Sequence, residues 1–163
     1  MKPDDADDLP IPEPANASLL DRLALWIEGQ TRSAYEEDRP LIESEGVVLV
    51  ERLAPGRVTL YRSWAGKTFW DNFTIVVTRE RLRIYTGRFQ TLVDVSLTDP
   101  DELRNLAASL DRRGRLSLRV PRGTGRGPTP RARANRTISI KSPRAPEILD
   151  LIRNARIKVL GRE

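Results

Sequence analysis

The chain has 163 residues, 39% hydrophobic and 31% charged, enough for one domain with a real core but short of two. It contains no Cys and no His, which excludes disulfides, thiolate chemistry, Cys- or His-based metal sites and the commonest general base. The net charge of +5 hides an asymmetry, with twelve acidic and four basic side chains in residues 1–45 against 24 basic and 11 acidic in the remainder. That polarity fits an acidic tail beside a basic, anion-binding surface, and it equally fits solvated faces that keep the chain soluble. There is no basic stretch leading into an apolar one at the N-terminus, and no run approaches the roughly 18 apolar residues of a membrane span. The expectation is a cytoplasmic protein, free or peripheral to a membrane.

Residues 1–15 are rich in Asp and Pro and are expected to be a disordered acidic tail. Ser18-Leu-Leu-Asp21 has the form of a capping box, and Leu20, Leu23, Trp26 and Ile27 share one helical face. An N-terminal helix is therefore predicted within 16–38. Its apolar stripe packs on this domain or across a homodimer. Its polar face is mainly acidic, unlike that of a helix lying on a membrane. Glu36 to Pro40 reads as a polar break.

Two β-rich runs follow, Val47–Leu53 and Val58–Trp64, and Pro55-Gly56 between them predicts a hairpin. Ala65-Gly-Lys-Thr68 reads as a loop. Gly66-Lys67-Thr68 echoes the end of a phosphate-binding loop, but it lacks the upstream glycine and the following helix. The clearest element is Phe73–Tyr85. Phe73, Ile75 and Val77 alternate with Thr74, Val76 and Thr78, and after Arg79-Glu80 the residues Leu82 and Ile84 alternate with Arg81, Arg83 and Tyr85. This is a hairpin in a half-buried antiparallel sheet. Thr91–Leu97 makes the next strand. Asp99 as N-cap and Pro100 at the first position open a short helix carrying Leu103, Leu106, Ala107 and Leu110. Arg115–Val120 and Arg136–Lys141 are further strands, separated by the Gly/Pro/Arg-rich loop 121–134. Ser142-Pro143 opens a final helix with Ile148, Ile152, Ala155 and Val159 in register. Lys158 lies in its last turn and Gly161 just beyond.

Seven strands closed by a C-terminal helix, together with Thr78-Arg-Glu-Arg-Leu-Arg-Ile-Tyr85, resemble bacterial pleckstrin-homology (PH)-like and GRAM-like domains over residues 46–160. In that hairpin Thr78 and Arg81 match the positions that set the turn, and Leu82 the position that enters the barrel. The resemblance implies a mainly β (α+β) fold: a seven-stranded antiparallel barrel or sandwich plugged by the C-terminal helix, here with an added N-terminal helix. It also implies a binding module for a protein partner or a phosphorylated headgroup. Arg52, Arg57 and Arg62 lie near the places of the family's headgroup cations, although Glu51 precedes Arg52 and Val58-Thr-Leu-Tyr separates Arg57 from Arg62.

The most unusual feature is the basic run from Arg112 to Arg144, which no Asp or Glu interrupts. Arg112, Arg113, Arg115, Arg119, Arg122, Arg126, Arg131, Arg133 and Arg136 are its candidate anion-binding residues, followed by Lys141 and Arg144. Arginine forks two donors onto one phosphate or carboxylate, so anionic lipid and nucleic acid are candidate ligands, and a nucleic-acid accessory role through 112–136 is the alternative to a PH-like module. No aromatic interleaves the loop, so nothing within it supports base stacking. The acidic segment 4–13 is a candidate mask for the loop. Trp64, Phe69 and Trp70 cluster around the loop at residues 65–68, where such residues cap a barrel end or touch a partner. No nucleophile–base–orienter set is present, Asp99, Asp101 and Glu102 being the acids expected at a helix start. The expectation is a non-catalytic protein with no cofactor and no metal.

Overall fold

The hairpin around Arg79-Glu80 forms as its alternation requires. In the computed structural model, which describes residues 33–62, 65–86, 91–121 and 135–161, Val77 pairs with Leu82, Ile75 with Ile84 and Phe73 with Thr86. The apolar members are all buried. The Thr78 hydroxyl accepts hydrogen bonds from the Glu80 and Arg81 amides at 3.2 and 2.9 Å, which fixes the turn. The expected acidic tail 1–15, the Ser18–Asp21 helix start and most of the basic loop lie outside the described residues.

The chain runs α1 (Ser33–Glu45), β1 (Val47–Arg62), β2 (Ala65–Thr78), β3 (Arg81–Thr86), β4 (Thr91–Ser96), α2 (Pro100–Asn105), β5 (Ala107–Leu110), β6 (Leu116–Val120), β7 (Asn135–Ile140) and α3 (Ala145–Leu160). The seven strands form one antiparallel sheet in the order β4-β3-β2-β1-β7-β6-β5. The sheet curls into a half-barrel, so the fold is mainly β with a helix at each end of the described chain. Its edge strands β4 and β5 do not pair. Helices α2 and α3 stand between them, α2 against β4 and α3 against β5, and they pack on each other. Ile148, Leu149 and Ile152 of α3 enter the core with the inward residues of the strands. Gly161, at φ 73°, ends α3.

Four local expectations give way to long-range packing. Pro55-Gly56 is not a turn: β1 runs through it as one strand paired with β2 from Val47↔Thr78 to Arg62↔Ala65. A bulge lies between Glu51 and Ala54, where Leu53 adopts φ 55°. Gly56 is needed for a close approach instead, since a Cβ there would stand 2.5 Å from the Ser139 carbonyl oxygen of β7. Residues 65–68, read as a loop, begin β2.

The predicted helix through Leu110 ends at Asn105, because Ala107–Leu110 pairs with Leu116–Arg119 as β5. Its start is as expected, with the Asp99 carboxylate accepting from the Asp101 and Glu102 amides at 2.8 and 3.3 Å and Pro100 at the first position. The polar break at 36–40 is the middle of α1, with Pro40 inside the helix. Tyr35, Asp38, Ile42 and Glu45, spaced three or four residues apart, hold it to the outside of the sheet.

Candidate functional site

The outward face of β2 and β3 is covered by α1. Ile42, Val76 and Tyr85 form a small apolar cluster there, with Tyr35 edge-on to Tyr85 at 5.7 Å between ring centroids. Every charge beneath the helix is engaged. Arg83, 1% exposed, donates through both terminal nitrogens to the two oxygens of Glu45 at 2.6 and 2.7 Å. Thr78 donates to Glu45 at 2.9 Å. Arg81 donates to Asp94 at 2.6 Å and approaches Glu102 at 3.9 Å. The Tyr85 hydroxyl donates to Asp38 at 2.7 Å.

Burial alone would raise the Glu45 pKa. The hydrogen bonds from Arg83 and Thr78, with the charges of Arg83 and Arg81, outweigh it and hold the carboxyl below its ordinary range. The same pair raises Arg83 against its own burial, and burial together with the Asp38 bond raises Tyr85 far above the usual phenol. This half of the sheet is a closed structural network.

The outward face of β1, β7 and β6 is different. Strand alternation sends Val58, Phe69, Leu118 and Ile138 inward, which turns Arg57, Trp70, Ser117 and Ser139 outward. Register places Trp70, Arg57, Ser139, Ser117 and Ser109 side by side across five strands. The next row is Thr68, Thr59, Thr137 and Arg119, with the Thr59 and Thr68 hydroxyls 2.8 Å apart.

The β5–β6 turn closes one end of this face. The Asp111 carboxylate accepts from the Arg113 and Arg115 amides at 2.8 and 2.9 Å. The Gly114 amide, on a backbone at φ 70°, donates to the Asp111 carbonyl at 3.0 Å. Those amide bonds, Arg115 first, hold the Asp111 pKa below the usual carboxylate range. Asp111 is thus occupied in shaping the turn that presents Arg112 and Arg113. Arg57, Trp70, Asp111, Arg112, Arg113 and Arg115 line one open groove of about 540 Å³. Trp70 is 67% exposed. Among the described residues no carboxylate forms a salt bridge with any of the four arginines, and none of their side chains donates a hydrogen bond.

The structure therefore joins one residue of the headgroup set to three of the basic run. Arg57 meets Arg112, Arg113 and Arg115. Arg52 is apart from them, its guanidinium 5.8 Å over the Tyr35 ring on the α1 side. The Arg62 side chain and Arg122, Arg126, Arg131 and Arg133 lie outside the described residues, as does Trp64. Arg119 is exposed and borders a smaller cavity of about 250 Å³ with Asn135 and Arg136. Arg136 is 1% exposed on the inward side of β7, and burial pushes its pKa down to about 10, so it remains a cation at neutral pH but is not presented at the surface. Asp101 pairs with Arg104, Glu102 accepts from the Ser96 amide, and Asp99 caps α2.

Two features escaped sequence reasoning. The Asp111-x-x-Gly114 turn signature was legible, but nothing local linked it to Arg57 and Trp70. The three- and four-residue spacing from Tyr35 to Glu45 was also legible, but half of its members are polar. Among the described residues no cluster of acids is arranged to hold a metal ion, and no helix is long and apolar enough to cross a membrane. The fold and site together define a half-barrel β protein with one helix-covered outer face and one open cationic face. A scan against protein-family models returns no match, and neither does a comparison with curated proteins.

Proposed function

We propose that this chain is a non-catalytic, PH-like binding module that takes a phosphate-bearing anion in the groove formed by Arg57 and the β5–β6 turn. The observation that carries the reading is the convergence of Arg57 with Arg112, Arg113 and Arg115 of a turn far along the chain, four cations around the single carboxylate of Asp111, which is held by backbone amides and forms no salt bridge with them. Unpaired cations brought together repel one another unless an anion joins them, and arginine forks match phosphate oxygens in pairs. The PH-like part rests on Thr78, Arg81, Leu82 and Tyr85 in the central hairpin, on the strand order, and on the C-terminal helix between the sheet edges.

The test is calorimetric titration of the full chain with inorganic pyrophosphate and with a polyphosphate, at low and near-physiological salt, beside polyglutamate as a carboxylate control. Wild-type protein is expected to bind the phosphates more tightly than the carboxylate, with affinity falling as salt rises. The triple variant R57Q/R112Q/R113Q is expected to lose that binding while unfolding at the wild-type denaturant concentration. Equal binding by wild type and variant would overturn the proposal.

A further inference from the structure

The placement of Trp70 says more about the ligand. It stands in mid-strand on a solvent face, 67% exposed, directly across from Arg57. An exposed indole contributes nothing to the core, whereas its neighbour Phe69 packs against it. A bilayer is met by protruding aromatic tips, but Trp70 lines an open concavity with four arginines and Asp111. The strip beside it is made of short hydroxyl side chains, Ser139, Ser117, Thr59 and Thr137, and the buried Ser139 hydroxyl has no hydrogen-bond partner. β7 separates β1 from β6, so the strands carrying Arg57 and the turn lie about 9–10 Å apart. Cations spread over that span suit a chain of phosphates better than a single one.

We infer that the groove binds single-stranded nucleic acid, with one base stacked on the Trp70 indole and consecutive backbone phosphates on Arg57 and the Arg112–Arg113 tip. The inference rests on the anion-binding reading and adds a base to it. Every base has an aromatic face, so stacking on the indole does not by itself select among bases.

The experiment measures binding of the full chain to a labelled oligothymidylate, to an abasic phosphodiester of the same length, and to phosphatidylcholine–phosphatidylserine vesicles at one salt concentration. The oligothymidylate is expected to bind roughly ten-fold more tightly than the abasic strand. W70A is expected to abolish that difference, and W70F to retain most of it. R113Q is expected to weaken both strands alike and to reduce the salt slope by about one phosphate contact. Equal affinity for the two strands, a W70A variant with no effect, or tighter binding to the vesicles would each overturn the inference. If the abasic strand still binds through the arginines, anion binding survives that result; if neither strand binds, both readings fall together.

Discussion

Arg83 and Arg57 both stand on outward faces of one curled sheet, and their surroundings are opposite. Over Arg83 lies α1, which brings Glu45 to meet the guanidinium with two hydrogen bonds. Over Arg57 lies no described element, and the nearest turn adds three more arginines. A cation buried this deeply needs compensating partners, because removing it from water otherwise costs several kcal/mol. An exposed cation stays hydrated and needs no partner. The covered half therefore uses charge to seat a helix, and the open half leaves charge available. The same residue type is buried in an ion pair in one place and left exposed in the other, and coverage decides which.

The sharpest way to break the comparison is to remove one partner of the covered pair. R83A strands the Glu45 carboxylate and is expected to lower stability by about 3–5 kcal/mol in urea unfolding. The double variant R83M/E45L, which replaces both charges with apolar groups, is expected to recover most of the loss. The pair also sets an acid limit. The folded-state pKa of Glu45 lies below its ordinary value of 4.5, so its contribution is complete above that value and is lost as pH falls through the depressed one. The stability gap between wild type and E45Q is expected to shrink on acidification below pH 4.5 and to stay level between pH 6 and 8; a gap that narrows near neutrality would point to another group.

Beneath the open half the tight element is backbone. G56A places a methyl against the Ser139 carbonyl and the Phe73 ring and is expected to cost about 1–3 kcal/mol. Y85F removes the bond to Asp38 at the margin of the covered half, where water can partly replace it, and is expected to cost about 1–1.5 kcal/mol. R113Q, on the open face, is expected to change stability by less than about 0.5 kcal/mol while weakening phosphate binding. A larger stability loss there would mean that the turn arginines are structural after all.

How much of this was legible depended on how local each signal was. The hairpin from Phe73 to Tyr85 and the cap at Asp99 could be read because alternation and capping are settled within a few residues. Pro55-Gly56 misled, because the pair normally marks a turn, and Gly56 owes its place to a strand far along the chain. Ala107–Leu110 carries no strand signature and becomes β5 only because β6 offers an edge. Helix α1 was hidden by its polar stripe, in which Asp38 and Glu45 count as apolar positions once Tyr85 and Arg83 receive them. The arginines were conspicuous in the sequence, but their grouping was not. A basic run read as one cluster separates in space into the groove residues, Arg119 beside a second cavity, and Arg136 facing inward.

Strand β1 has a dynamic consequence. From Gly56 to Tyr61 it is flanked by β2 on one side and β7 on the other, so its amides are paired whichever way they point. From Val47 to Glu51 it has only β2, and every second amide looks away from that partner. In native-state deuterium exchange the amides of Val58 to Tyr61 are expected to open only when the whole domain unfolds, while the outward-looking ones near Val47 exchange through small local openings. Arg57 sits at the slow end of that gradient, paired with Trp70 on one side and Ser139 on the other.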